Sequence, residues 1–183
     1  LNTNLTIESL VNVKEFISRD ANFFSNLQQG GYGFELHGST LCFVLNIDGE
    51  YYYAETTIKV DTWYHVVGTY DGSTMKLIVN GEVKDTVTVS GSIKLASDGA
   101  RFIGVGADSC NDGTVENYCA SRVANAKLYF KSLTEQEVID SYSQYKDVLE
   151  KEEEYPEDVV INKLFFIPLI STYIPIIFYL ILF

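Results

Sequence analysis

Apolar and polar residues alternate in short runs along most of the chain, and turn-forming dipeptides separate the runs. The clearest example is DTWYHVVGTYDGSTMKLIVNGEVKDT, from Asp61 to Thr86, which Asp71-Gly72 and Asn80-Gly81 interrupt. Successive side chains of a strand point to opposite faces, and Asp-Gly and Asn-Gly tolerate the positive φ angles of tight hairpin turns. The stretch therefore predicts three antiparallel strands in a meander.

Similar runs recur from one end of the first 130 residues to the other. They predict strands at about residues 4–13, 22–27, 31–37, 40–47, 51–57, 62–70, 75–80, 82–89, 100–106 and 122–130. Many short strands with hairpin turns and little helix are typical of a sandwich or a barrel.

The alternation also predicts which side chains are buried. We expect a core that includes Trp63, Leu77, Val79, Val87, Ile103 and Leu128. Val83, Val87 and Val89 fall on one face of their strand, with Asp85 as the polar exception. His65 is expected to be a hydrogen-bonded histidine of the core or its boundary, with ligand binding as the alternative.

One helix is predicted near the end of the sheet region. Thr134-Glu135-Gln136-Glu137 has the pattern of a capping box, in which the first and fourth residues exchange hydrogen bonds. Val138, Tyr142, Tyr145 and Leu149 then follow at helical spacing as an apolar stripe. The helix should end near Glu150, which closes a predicted domain of residues 1–150.

Two segments of different composition follow that domain. Residues 151–163 predict an acidic linker, and residues 164–183 carry no charged side chain. About 20 apolar residues suffice to cross a bilayer. A membrane anchor, a lipid-anchor signal and a tail without function remain open for the hydrophobic segment.

The net charge of −12 over 183 residues excludes some partners. No basic patch is present to neutralise phosphates, so nucleic acid is not an expected partner. With three Cys, at least one is free or pairs with another chain.

Three blocks resemble laminin G-like jelly-roll domains of the concanavalin A-like lectin/glucanase superfamily. They are the DTWYHVVGTYDGSTMKLIVNGEV stretch, RFIGVGAD, and VANAKLYFKSLTEQEVIDSY, and they occur in the family's order. The resemblance implies an all-β, antiparallel two-sheet jelly-roll sandwich with one short C-terminal helix. The family's usual first strand is expected to be missing before Leu1, so further domains of a longer chain are expected partners.

The loop CNDGTVENYC is similar to one in modules attached to bacterial surface metallophosphoesterases, although no phosphoesterase motif occurs here. Glucanases of the same fold resemble one another in a Glu-x-Asp-x-x-Glu strand, and no Glu-x-Asp occurs in this chain. We therefore predict a protein that is not an enzyme.

The resemblance implies a carbohydrate- or glycoprotein-binding module that is secreted or displayed on the cell surface. A structural adhesion or spacer domain that binds proteins is the alternative, and a glycoside hydrolase comes third. Tyr51, Tyr52 and Tyr53 are candidate sugar-stacking residues, with two-sided strand packing as the alternative.

The loop DSCNDGTVENYC carries the remaining candidates. Asp108, Asn111 and Asp112 are candidate ligand-binding residues, and with Glu116 they offer the hard oxygen atoms that calcium prefers. Ordinary loop polarity is the alternative, and no cofactor other than calcium is expected. Cys110 and Cys119 are predicted to form a disulfide in an exported protein, which leaves Cys42 as a buried free thiol.

Overall fold

A computed structural model of the chain describes residues 3–17, 20–97, 102–110, 112, 114–150 and 167–168. These residues form strands and one helix, in the order β1 (Leu5–Val13), β2 (Ala21–Asn26), β3 (Tyr32–His37), β4 (Thr40–Ile47), β5 (Glu50–Thr57), β6 (Trp63–Tyr70), β7 (Thr74–Val79), β8 (Glu82–Thr88), β9 (Phe102–Val105), β10 (Asp108–Ser109), β11 (Val115–Glu116), β12 (Ser121–Tyr129), α1 (Glu135–Glu150) and β13 (Ile167–Pro168). Every predicted strand and the predicted helix are present within a few residues of their expected bounds.

Two antiparallel sheets face each other. One sheet has the strand order β12-β1-β6-β7-β8, and the other has the order β13-β9-β2-β3-β4-β5. Strands β10 and β11 form a separate hairpin. The prediction of an all-β jelly-roll sandwich is confirmed, as is the meander of β6, β7 and β8.

The core lies between the two sheets. Phe34 packs at its centre, with its ring centroid 5.3 Å from that of Phe23 and 5.9 Å from that of Phe43. Leu77 and Val79 are buried as predicted. Val87, Ile103 and Leu128 are partly buried and pack against this core.

The prediction that Trp63 packs in the sandwich core is wrong. Its neighbours Tyr64 and Val66 pack in that core, while Val67 belongs to a second cluster beneath α1. Because side chains alternate along β6, Trp63 shares the outer face with Val67 and is only partly buried. His65 lies on this outer face too, and the helix covers it completely.

Helix α1 begins at the predicted capping box. The amide of Glu137 donates to Oγ1 of Thr134 at 3.2 Å, and the amide of Thr134 donates to Oε2 of Glu137 at 2.8 Å. Val138 on the buried side of the helix packs with Val67 and Ile78. The helix therefore covers the outer face of the five-stranded sheet.

A buried polar cluster joins this helix to the sheet. Glu8 on β1 is fully buried and accepts hydrogen bonds from Lys127, Tyr129 and Ser141. Nε2 of His65 lies 3.2 Å from Oε1 of Glu8, whereas Nδ1 has no hydrogen-bond partner among the described residues. Burial by itself would raise the pKa of the Glu8 carboxyl, but its hydrogen bonds outweigh burial and lower that pKa to about 2.

The predicted linker, residues 151–163, lies outside the described residues. So does the hydrophobic segment 164–183 except for β13, whose backbone pairs with β9 through Ile167 and Ile103. Within the described part of the chain, no helix has the length and apolar character needed to span a bilayer.

Candidate functional site

A groove crosses the outer face of the six-stranded sheet, on the side away from the core. It has a volume of about 200 Å³. Its lining combines aromatic, polar and acidic side chains, namely Asp20, Asn22, Leu27, Gln28, Glu35, Val44, Tyr51, Tyr53, Asp108 and Asn117. These residues come from β2 to β5, from the segments that flank β2, and from the β10–β11 hairpin and the residue that follows it. The fold thus brings together positions that are far apart in sequence.

Tyr51 and Tyr53 line the groove because they point to the same face of β5. They are 38% and 39% exposed, so each offers part of a ring to a ligand. The hydroxyl of Tyr51 accepts from the amide of Gly30 at 2.9 Å and can donate to the carbonyl of Gly30 at 3.2 Å. Tyr52 lies on the opposite face and packs against the core, so only two of the three predicted tyrosines reach the groove.

Asp108 lies in the lining of the groove and is almost completely buried. Its Oδ1 accepts from Oγ of Ser25 at 2.5 Å and from the amide of Leu27 at 3.1 Å. These bonds attach the β10–β11 hairpin to β2, so Asp108 shapes the groove as well as lining it.

The predicted calcium ligands lie at different positions on the hairpin. Asp108 and Glu116 pair across it, whereas Asp112 lies near its tip, and Asn111 lies outside the described residues. Oδ1 of Asp112 accepts from the amide and the hydroxyl of Thr114, at 2.9 and 2.6 Å. Oε1 of Glu116 accepts from Gln28 at 3.2 Å. The calcium site stays a prediction, and these three carboxylates already have protein donors.

The predicted disulfide between Cys110 and Cys119 is corrected, because both are free cysteines. The amide of Cys110 bonds to the carbonyl of Thr114, and the amide of Cys119 bonds to the carbonyl of Gly106. The two cysteines therefore bond to different partners and are offset by about four positions along the hairpin. A disulfide needs Cα atoms within about 7 Å. Cys42 is a buried free thiol, as predicted.

Asp20, Glu35 and His37 meet at the acidic end of the groove, and none of them was predicted as a site residue from the sequence. Nε2 of His37 lies 3.4 Å from Oδ1 of Asp20 and 3.3 Å from Oε1 of Glu35. Burial raises the pKa of the Glu35 carboxyl, and the Asp20 carboxylate adds to that rise while His37 opposes it. The alternation of Glu35 and His37 along β3 is the only sequence signal for this cluster, since Asp20 comes from another segment.

A comparison of the sequence with protein families places residues 1–139 in a laminin G-like family described as the concanavalin A-like lectin/glucanases superfamily. The match covers more than half of the chain and confirms the resemblance of the three sequence blocks. No protein of curated function was found to be similar to this chain in sequence.

Solved structures with the same fold include receptor-binding domains of bacterial toxins. The binding domain of Paraclostridial Mosquitocidal Protein 1 is 15% identical with a TM-score of 0.60, and 78% of this chain aligns with 37% of that one. The binding domain of botulinum neurotoxin DC in complex with SialylT is 12% identical with a TM-score of 0.60, at 78% and 36% coverage.

A third structure concerns botulinum neurotoxin type C, whose cell entry is described as dependent upon interaction with two ganglioside molecules. It is 13% identical with a TM-score of 0.60, and 78% of this chain aligns with 36% of that one. The chain thus spans little more than a third of these structures, and at such identities they show a shared fold.

Proposed function

The chain belongs to the concanavalin A-like lectin/glucanase superfamily, and from that membership we propose that it is a non-catalytic module that binds a carbohydrate or the glycan of a glycoprotein. We place this activity outside the cell or at its surface. Domains with the same fold occur in toxins that bind gangliosides or sialylated sugars, which supports a glycan as the ligand.

The observation that carries the proposal is the pair Tyr51 and Tyr53 on one wall of a polar groove. A sugar ring is apolar on its faces and polar around its rim. Exposed aromatic rings cover such a face, while a few fixed polar groups orient the rim hydroxyls. Asn22, Gln28 and Asn117 supply amide groups for that second task.

The charge of the groove favours a neutral glycan. Asp20, Glu35 and Asp108 line it, whereas no Lys or Arg does so among the described residues. A sialic acid carboxylate would face these like charges at close range, which opposes binding. We therefore expect neutral glycans to bind more tightly than their sialylated counterparts.

The test is a glycan array probed with the complete chain, followed by titration with the best sugar. Tyr53→Ala should weaken binding at least tenfold, because the stacking ring is lost. Phe130→Ala is the matched control, since Phe130 is an exposed aromatic residue that does not line the groove. Its affinity should match that of the parent.

Three outcomes would contradict the proposal. Silence of the whole array would favour the spacer or adhesion alternative. Equal losses of glycan affinity in Tyr53→Ala and Phe130→Ala would show that the groove is not the binding site. Hydrolysis of a bound glycan by the parent chain would overturn the non-catalytic assignment.

A further inference from the structure

Three potential metal ligands converge at the end of the groove formed by β2 and β3. Glu35 and His37 are two residues apart on β3 and project from the same face of the sheet. Asp20 directly precedes β2, whose first residue, Ala21, pairs with Leu36. The register of the two strands therefore places Asp20 beside the His37 ring.

The two separations measured from His37 fit a metal ion, and all three ligand atoms lie within 4.8 Å of one another. Zinc binds histidine nitrogen and carboxylate oxygen at about 2.0–2.2 Å in a tetrahedral arrangement, so two of its ligands lie roughly 3.3–3.5 Å apart. The observed distances from Nε2 of His37 are 3.4 Å to Asp20 and 3.3 Å to Glu35. An ion could enter between these atoms with little movement of the backbone.

The surroundings of His37 favour a preformed site. Glu35 lies on an inner strand of the sheet with its side chain only 13% exposed, which limits its freedom. On the other side of the imidazole, Nδ1 lies 3.8 Å from Sγ of Cys42, whose thiol is 3.5 Å from Oε1 of Glu55. Partners on the far nitrogen of a ligating histidine fix the orientation of its ring.

We propose that Asp20, Glu35 and His37 bind one divalent transition-metal ion of the zinc class, with the fourth position open to the groove. One imidazole nitrogen and two carboxylate oxygens suit such an ion, whereas calcium and magnesium prefer oxygen ligands alone. The two carboxylates neutralise the charge of the ion. The site does not depend on glycan binding and is distinct from the predicted calcium loop.

A second set of atoms competes for the same ion. His37, Cys42 and Glu55 also place their ligand atoms within 4.8 Å of one another. Cys42 is completely buried, and its thiol would have to lose a proton to bind metal. The Asp20 set contains no thiol, and Asp20 and Glu35 line the groove, so this set opens to the groove rather than to the sheet.

The experiment uses the complete chain after treatment with a chelator. Calorimetric titration with Zn²⁺ should give one ion per chain, and saturating Zn²⁺ should raise the melting temperature. His37→Asn and Glu35→Gln should each weaken Zn²⁺ binding at least tenfold and abolish that rise. Glu82→Gln, which alters an exposed carboxylate on β8, is the matched control and should bind Zn²⁺ as the parent does.

Cobalt distinguishes the two sets of ligands. The Co²⁺ complex should show visible bands without thiolate charge transfer, and Cys42→Ser should leave those bands unchanged. A thiolate band that disappears in Cys42→Ser would overturn the proposal in favour of the second set. Binding of less than one tenth of an ion per chain, or equal affinities in the parent and His37→Asn, would also overturn it. Tyr53→Ala should still bind Zn²⁺, so failure of the glycan proposal and failure of the metal proposal can be told apart.

Discussion

Oγ of Ser141 on α1 donates a 2.6 Å hydrogen bond to Oε1 of Glu8 on β1, although the two residues are 133 positions apart in the chain. Lys127 and Tyr129 on β12 donate to the same carboxylate, at 2.8 and 3.0 Å. One buried side chain thus joins the first strand, the last long strand and the helix. Through these hydrogen bonds, Glu8 attaches α1 to the sandwich.

Glu8→Gln should destabilise the fold by about 3 kcal/mol, because it leaves the ammonium group of Lys127 without its buried counter-charge. Urea denaturation followed by circular dichroism measures the change in the free energy of unfolding. Glu82→Gln is the control, since Glu82 pairs with Lys84 on the exposed face of β8. We expect its free energy of unfolding to match that of the parent, because an exposed ion pair contributes little to stability. Equal losses of unfolding free energy in the two variants would show that burial of the Glu8 cluster does not increase its contribution to stability.

The stability of the parent should depend on acid pH through Glu8. The pKa of its carboxyl is about 2 in the folded protein, against an ordinary value of 4.5. A group with a lowered pKa stabilises the fold fully above its unfolded pKa, and this contribution is lost as the pH falls through its folded pKa. Stability should therefore fall between about pH 4.5 and pH 2, by roughly 3 kcal/mol at about 1.4 kcal/mol per pKa unit. Parallel pH profiles for the parent and Glu8→Gln would contradict this assignment.

Gly68 on β6 leaves room for the aromatic ring of Phe43 from the opposite sheet. A Cβ atom at this position would lie 2.4 Å from Cδ2 of Phe43, which is inside van der Waals contact. Gly68→Ala should therefore destabilise the fold by about 1–3 kcal/mol, as overpacked cores do. A double-mutant cycle with Phe43→Leu measures the cause, since the smaller side chain should relieve the clash. If the stability losses of Gly68→Ala and Phe43→Leu simply add in the double variant, a clash with the Phe43 ring does not explain the effect of Gly68→Ala.

Thiol labelling should find three free cysteines in the protein after denaturation without a reductant. The hairpin register separates Cys110 from Cys119, and Cys42 is enclosed in the sheet. Mass spectrometry of the labelled chain gives the count directly. A single labelled cysteine, at Cys42, would restore the disulfide and require a different register for the hairpin.

The sequence by itself determined the strands, the turns and the helix. These follow from interactions between neighbours in the chain, such as the alternation in β6 and the hydrogen bonds exchanged by Thr134 and Glu137. Local rules of this kind need no knowledge of distant residues. The family resemblance then supplied the two-sheet jelly-roll architecture, and the pairing order of the strands came from the structure.

Tertiary structure decided which face of each strand is buried. Trp63 has the size and character of a core residue, yet its strand presents it to the side that carries α1. A bulge opposite Leu77 and Ile78 reverses the phase of β8, so that Val83 is 43% exposed while Val87 packs against the core. Alternation gives two faces but does not say which one another layer of the protein will cover.

Tertiary structure also decided the composition of the groove. Tyr51 and Tyr53 could be proposed from their strand, but Asp20, Glu35 and Asn117 join them only because β2, β3 and the β10–β11 hairpin meet there. The spacing of Cys110 and Cys119 allowed a disulfide that the register of the hairpin prevents. Contacts between distant segments depend on pairing and packing throughout the sandwich, and a pattern confined to one segment does not carry that information.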